Sequence, residues 1–577
     1  MQYPLAEKIG HPDLLIGRQE EFELINKWID NIPDKLSKSK VLLARRKSGK
    51  TSFIQRIFNQ LWSNPGRGVI PFYYSMPEKK MWYPDFAIDY YCTFTSQYIS
   101  FFERNEAVVG STLSLELIKE WGVANRIQGV INDVNEIQRH RERGSYDLIW
   151  HKVCSAPHRY ASTNDIRVLV LLDEFQYISA FIYRDEVCKG EPDETLPGSY
   201  HSLSESKVAP MLVTGSYFSW MDRIAHEYLE AGRLSYWVIE PYLTPPEGLD
   251  AVYKYAELYR EPITNDTALI INELCGSDPF FISCVIQSYY RGRDLTTEEG
   301  VKNVVNYEIS NYKSELSTTW AEYIPRAVDR VNDVHGKHIL LQLSKYNDRD
   351  WTPKELKDEL NLSFTVKEIH HKLESLVDAD VIVRGSSDID YRGLQDGTLY
   401  KILRHRFRKE ITTFGPELLE EFSAQIKVLQ ENKQRLQGML NNLMGKFAEL
   451  QLVSEFRSRK RFRLSKFFEG VSDTARLNII NGRDRVTIQR EDGKNMQLDV
   501  VAESSCNRVV LVEVKKWQKP IGSTEVEDFV EKVALYQRLH PDKTALPAFL
   551  SLGGFSDPAR RLCEQHGIGM AETIVWE

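Results

Sequence analysis

The stretch that most restricts the fold is KVLLARRKSGKTSFIQRIF (40–58). A short apolar strand runs into a basic turn containing Gly49, and the turn runs straight into a helical pattern. From Ala44 the spacing reads A-x-x-x-x-G-K-T, a phosphate-binding loop with Ala44 in the first glycine position. The chemistry explains that spacing. Backbone N–H groups of the loop and of the helix N-terminus point at phosphate oxygens, and an ammonium neutralises their charge. Ala44, Lys47, Ser48, Gly49, Lys50, Thr51 and Ser52 are therefore expected to cradle a nucleotide, with Lys50 on the β/γ phosphates and the Thr51 hydroxyl on Mg²⁺.

A second element belongs with this loop. RVLVLLDEFQYI (167–178) has an apolar strand core from Val168 to Leu172, followed by Asp173 and Glu174. Beside a phosphate loop, Asp173 completes the Mg²⁺ shell and Glu174 polarises the attacking water. The plainer alternative is that these acids cap the helix after a parallel strand.

Composition decides what else the chain can be. With 577 residues it is too long for one core and should form three or four domains. A net charge of −8 gives no chain-wide basic signature, so any nucleic-acid surface must be local. The seven cysteines include no CxxC pair, which favours a reducing compartment over a disulfide framework. The N-terminus lacks the order of a signal peptide, and no run approaches the roughly 18 apolar residues of a membrane span. A cytoplasmic protein without a membrane partner is expected.

Several segments resemble a known family. LLIGRQEEFELINKWI (14–29) looks like the "GRxxE" helix that opens the core of AAA+-related STAND ATPases, particularly the archaeal-type group. VAPMLVTGSYFSWM (208–221) looks like their fourth strand and polar sensor, here Thr214 or Ser216. AGRLSYWVIEPYL (231–243) matches the family's Gly-Arg followed by a strand, and CGSDPFFISCVIQ (275–287) its helical lid. The resemblance implies ATP as cofactor, a parallel sheet with the phosphate loop at its carboxyl edge, and Arg233 as a phosphate sensor acting in trans. Residues 77–160, rich in aromatics and charges, look like an insertion without a recognisable motif.

In the middle, TPKELKDEL (352–360) opens like a capping box with Pro353 at the first helical position. A second helical pattern covers Thr365–Asp378, and residues 380–403 alternate like a β-hairpin. This order resembles a winged helix-turn-helix. Its second helix carries Lys367, His370, His371 and Lys372 but also Glu368 and Glu374, so a DNA reader and a protein-packing lid both remain open. Residues 416–445 show helical spacing and are expected to form a long connector, a surface for a homo-oligomer or a partner protein.

The C-terminal part poses a problem in charge. GKFAELQLVSEFRSRKRF (445–462) reads as an amphipathic helix with Glu449 near its start. NMQLDVVAES (495–504) and NRVVLVEVKKW (507–517) read as a hairpin turning near 505–506, with paired positions summing to about 1011 or 1012. Asp499 then falls opposite residue 512 or 513. In the second strand Val509, Leu511, Glu513 and Lys515 share one face, and Val510, Val512 and Val514 the other. Two adjacent carboxylates repel unless a divalent cation lies between them. A strand end emerging into water is the bland alternative.

Asp499 followed by Glu513-Val514-Lys515 resembles the PD-(D/E)XK restriction-endonuclease-like nucleases, with Leu498 where their proline precedes the Asp. The helix at 445 resembles that of their Mrr-like and archaeal Holliday-junction-resolvase branches, which maps their helical acid onto Glu449. EVEDFVEKVALYQ (525–537) is similar to their post-motif helix. The resemblance implies that Asp499, Glu513 and the Val514 carbonyl hold Mg²⁺ while Lys515 acts on the attacking water, with DNA as partner. RSRKRFRLSK (457–466) holds six basic residues and no acid, fitting phosphate contact or a solvated helix end.

The expected fold is thus multidomain α/β: a P-loop parallel-sheet ATPase core (12–245), a helical lid (246–335), a winged helix (336–412), a connector helix (413–444) and an α/β restriction-endonuclease-like domain (445–577). The expected function is an ATP-dependent or ATP-regulated Mg²⁺-dependent DNA endonuclease in prokaryotic defence or mobile-element DNA processing. The alternative is a STAND-type regulator or assembly factor whose inactive nuclease fold binds DNA.

Overall fold

Strand β1 (Lys40–Leu43) lies inside a sheet, as burial of Val41, Leu42 and Leu43 requires. The computed structural model describes residues 1–45, 47–215, 234–321, 334–378, 381–387, 389–394, 397–407, 411, 418–459, 461–490, 493, 495–515 and 519–573. Among them β1 is joined by β2 (Ile70–Ser75), β3 (Val168–Asp173), β4 (Met211–Gly215) and β5 (Ser235–Val238). The order is β2-β3-β4-β1-β5, and every pairing is parallel. Leu42 lies opposite Thr214, and Leu172 opposite Val213. The carboxyl ends of β1, β3 and β4 therefore open on one edge, where ligands bind in open parallel sheets.

The aromatic stretch 77–160 is core and not an appended insertion. Helix α2 (Tyr83–Glu103), which follows α1 (Lys50–Ser63) in the chain, buries residues around most of its circumference. A helix apolar all round belongs inside. Phe72 of β2 meets Tyr90 and Phe94 edge-on, with ring centroids 5.2 Å apart in each pair. The segments Leu115–Ala124, Gln128–Glu142, Tyr146–Cys154 and Ala156–Thr163 complete this helical layer.

Helix α3 (Pro279–Ile286) begins after the side-chain cap Asp278. Further on, α4 (Pro353–Glu359) starts with the expected capping box: the Thr352 hydroxyl accepts from Glu355 N–H (3.2 Å), and Glu355 accepts from Thr352 N–H (2.8 Å). Thr365 and Glu368 repeat the device before α5 (Val366–Asp378). The expected hairpin over 380–403 is only half right. Strands β6 (Ile382–Arg384) and β7 (Tyr391–Gly393) pair antiparallel, but α6 (Gly397–Phe407) is helical. Its buried residues Thr398, Leu399, Ile402, Leu403 and Phe407 fall on one helical face, and that packing outweighs the local alternation.

The patterns at 416–445 and 445–462 are one helix, α7 (Leu418–Arg459). Gly438 and Gly445 weaken a helix by about 1 kcal/mol each relative to Ala, which does not end one. The chain divides into two compact units, Met1–Ile426 and Lys427–Glu577.

In the second unit a sheet runs in sequence order: β8 (Arg461–Arg463), β9 (Arg476–Gln489), β10 (Asn495–Ser504), β11 (Arg508–Lys515), β12 (Thr544–Ser551) and β13 (Gly569–Ala571). The first four strands pair antiparallel, and β11, β12 and β13 pair parallel. Both faces of β11 are buried. Val510, Val512 and Val514 pack with Leu452, Val453 and Phe456 of α7, whereas Val509 and Leu511 pack with Val526 and Phe529 of α8 (Ser523–Leu539). The wet-edge alternative for 509–515 is thereby excluded. No described helix is long and apolar enough to cross a membrane.

Candidate active sites

Two clusters of charge lie where these sheets would place them. In the second unit Val500 pairs with Val512, a sum of 1012, which sets Asp499 beside Glu513. The Asp499 carboxylate accepts a hydrogen bond from Val514 N–H at 2.8 Å. Glu513 is 3% exposed, and a carboxylate so deep needs counter-charge. Lys515 Nζ supplies it at 2.9 Å from Oε1, and Lys532 Nζ lies 2.8 Å from both carboxylate oxygens. Lys532 comes from α8 and was not singled out from the sequence. The available signal was its place three residues after Phe529, at the rim of a buried helical stripe.

Burial first, and then the nearby charges of Glu513 and Glu449, raise the Asp499 carboxyl to about 6; the Val514 N–H and Lys515 oppose the rise. Burial works against the charge on Lys515, yet Glu513 and then Asp499 hold its ammonium above the usual range. Glu449 stands on α7, nearly buried, and accepts from Arg485 Nε at 2.7 Å. Its charge reaches Asp499, but its carboxylate is engaged by an arginine.

Among the described residues, no group of three His, Cys, Asp or Glu side chains forms a metal cluster. The donors at 499 and 513 nevertheless suit Mg²⁺. They are oxygen-only, two carboxylates whose mutual repulsion a cation would relieve, and Mg²⁺ commonly keeps waters and takes one or two protein carboxylates. Of the basic stretch at 457–466, Arg457 donates to Gly482 O (3.1 Å) and Arg459 pairs with Glu455 (2.9 Å). Arg461 and Arg463 stand exposed on one face of β8.

In the first unit Gly49 (φ 85°) and Lys47 (φ 60°) take left-handed backbone, which turns the chain from β1 into α1. Lys50 is buried and donates to the carbonyls of Ala44 (2.9 Å) and Arg45 (3.2 Å), while the Ser48 hydroxyl bonds Arg45 O (2.7 Å). Thr51 and Ser52 occupy the first turn of α1. Asp173, fully buried at the end of β3, accepts from Thr214 Oγ1 (2.5 Å), Tyr73 OH (3.0 Å) and Glu174 N–H (3.1 Å). Burial, then the Asp173 charge, push the Tyr73 phenol well above its usual range. Glu174 has left-handed backbone (φ 50°), and its carboxylate accepts from Gln176. The structure thus joins Asp173 and Glu174 at the end of β3 to Thr214 of β4 on one side and Tyr73 of β2 on the other, across three adjacent strands. Tyr73 was missed because β2 carries no motif. Ser216 and Arg233 lie outside the described residues.

Residues 480–572 match the Mrr_cat family model, described as restriction endonuclease. The C-terminal unit therefore carries a restriction-endonuclease domain of that family. No curated protein sequence matches the chain. Among solved structures, the Walker-type ATPase PABY2304 of Pyrococcus abyssi is 15% identical over 70% of this chain and 98% of its own, with a TM-score of 0.45. The ORC2 protein of Aeropyrum pernix is 14% identical over 72% and 94%, TM-score 0.35. The RuvB Holliday junction branch migration motor of Thermotoga maritima is 12% identical over 72% and 100%, TM-score 0.30.

The raised Asp499 carboxyl has a consequence for stability. Its folded value of about 6 exceeds the unfolded value, so the native state binds more protons between about pH 4 and 6 and loses stability as pH rises through that window. Asp499→Asn keeps an acceptor for Val514 N–H and removes the titration. In metal-free buffer at pH 7.5 the variant's second unit should be more stable than wild type by roughly 1–2 kcal/mol. The difference should vanish near pH 4; equal melting curves at both pH values would refute the buried-repulsion account.

Proposed function

We propose that the chain is a Mg²⁺-dependent DNA endonuclease regulated by ATP through its P-loop core. The observation that carries the nuclease part is the convergence of Asp499, Glu513 and Lys515 on adjacent strands inside the domain that matches the restriction-endonuclease model. Asp499, Glu513 and the Val514 carbonyl would hold Mg²⁺, which when bound supplies a Lewis acid and acidifies water. Lys515 orients the attacking water against the phosphodiester. Lys532, now across Glu513, is positioned to shift to a phosphate oxygen when a cation takes that carboxylate. Arg461 and Arg463, exposed on β8, pair with the start of β9 beside the 505–506 turn, so the phosphate contact they favour lies at the other end of the sheet from Asp499 and not beside the site as the sequence suggested.

The ATPase part rests on Lys50 in the loop and on the Asp173–Thr214 pair at the sheet edge, with Glu174 as the group that activates water. The helix–helix–hairpin of 353–393 supports a winged helix. His370 and Glu374 of its second helix bond Tyr391 of the hairpin, which favours packing over base reading. The proposed setting, prokaryotic genome defence or mobile-element DNA processing in the cytoplasm, rests on the union of nuclease and ATPase-like parts in one chain.

A second reading has one observation in its favour. Lys532 and Lys515 fill both oxygens of Glu513, as they would in a nuclease fold retained only to grip DNA under an ATPase regulator. Variants separate the two. Asp499→Ala, Glu513→Ala and Lys515→Ala should each lower plasmid cleavage in Mg²⁺ at least about a hundredfold, leaving ATP hydrolysis intact. Lys532→Met should reduce cleavage while tightening Mg²⁺ binding. Lys50→Ala should abolish ATP binding, whereas Glu174→Gln keeps binding and stops hydrolysis. Wild-type protein that cuts no DNA in Mg²⁺ with ATP present or absent supports the second reading.

Helix α7 supports self-association. Leu436, Leu440, Leu443, Phe447 and Leu450, each more than half exposed, alternate in steps of four and three, the seam by which one helix packs on another. Of the positions flanking this seam, Gln437, Met439, Met444 and Gln451 are uncharged and Lys446 is the one charge. Light scattering of the full chain should give a dimer, and Leu440→Asp a monomer; a wild-type monomer at micromolar concentration would contradict it.

A further inference from the structure

Arg45, the second residue of the phosphate loop, is joined to the helical part of the first unit by a buried carboxylate. Its Nη2 lies 2.5 Å from Asp278 Oδ2, with the two side chains 8% and 0% exposed. The other oxygen of Asp278 caps α3, accepting from Phe280 N–H at 3.0 Å and Phe281 N–H at 3.3 Å. Thr398, buried in the first turn of α6, donates to the same Oδ2 at 3.0 Å. The Arg45 guanidinium also stands 5.3 Å from the Trp320 ring. A second loop residue leans the same way, with Lys47 Nζ 5.3 Å from the Phe280 ring.

A buried ion pair is a poor way to gain stability, because dehydrating both charges offsets most of their attraction. An apolar contact of similar volume would join the loop to α3 equally well. The charge has a consequence an apolar contact lacks. A nucleotide brings several negative charges to the loop, and a guanidinium pairs with phosphate as readily as with carboxylate. Asp278, held close to the same loop, is repelled by those charges. Phosphate and Asp278 therefore compete for Arg45.

We propose that the Arg45–Asp278 pair is a nucleotide-sensing clasp. Phosphate in the loop draws Arg45 away from Asp278, and Asp278, through its hydrogen bonds, passes the change to α3 and α6. The inference rests on the phosphate-loop reading and adds to it a route from bound nucleotide to the helices beyond residue 278.

Hydrogen exchange on the full chain, with and without Mg²⁺ and a non-hydrolysable ATP analogue, tests the clasp. In wild type the analogue should raise exchange in 397–407. Asp278→Asn retains a side-chain oxygen to cap α3 but no charge to hold Arg45. It should bind the analogue about tenfold more tightly, a difference of ~1.4 kcal/mol, and lose the nucleotide effect on 397–407. Thr398→Val keeps the ion pair, so affinity should stay unchanged while the effect on 397–407 disappears. This second variant carries the test if Asp278→Asn does not fold. Normal nucleotide binding with unchanged exchange at 397–407, or variants that respond as wild type does, overturns the clasp and leaves the phosphate loop standing. A wild-type chain that binds no nucleotide overturns both.

Discussion

A carboxylate at 3% exposure in the middle of a sheet sets the terms for the C-terminal unit. Glu513 cannot be charged there without partners, since a lone buried charge costs more than a fold of this size can spare. Lys515 meets it from the same strand, and Lys532 from α8. The helix must therefore present Lys532 inward, beside Val526 and Phe529, which pack on the same face of β11. Asp499 stands opposite and accepts Val514 N–H, so two acids and two ammonium groups share one end of a hairpin. A divalent cation in place of the Lys532 ammonium would bring one more positive charge to two adjacent carboxylates, which suits the oxygen-only donor set there.

The N-terminal unit applies the same physics to a different anion. Its parallel sheet brings three strand ends together, and the order β2-β3-β4-β1-β5 puts Thr214 between Asp173 and the phosphate loop. Lys50 meanwhile bonds loop carbonyls, holding the loop in shape with its ammonium inside it. Positive charge is concentrated at the loop and negative charge one strand beyond β4, the arrangement that Mg²⁺ and a polyphosphate together neutralise.

Much of this was readable from one dimension because the decisive features are local. Alternation in VVLVEVK assigned each β11 residue to a face, and the turn at 505–506 narrowed the partner of Asp499 to residue 512 or 513, of which the structure takes 513. Capping chemistry at Thr352 marked a helix start to the residue. What could not be read depends on packing between distant segments. Lys532 is one lysine among many until α8 is laid on the sheet, and Tyr73 matters only because β2 neighbours β3. Arg45 looked like loop charge, since its partner Asp278 lies more than two hundred residues away. The helix at 397–407 was misread for a related reason: GTLYKILRHRF alternates locally, and only burial of Leu399, Ile402 and Leu403 reveals the helical face.

The central claim is that Asp499 and Glu513 form a metal site now held by lysines. Crystals of the wild-type chain soaked in Mn²⁺ test it most directly, because the ion scatters anomalously. The account predicts an anomalous peak shared by the Asp499 and Glu513 carboxylates, with Lys532 Nζ displaced from Glu513. Soaked crystals with no peak between those two residues, and with both lysine contacts to Glu513 retained, would contradict it.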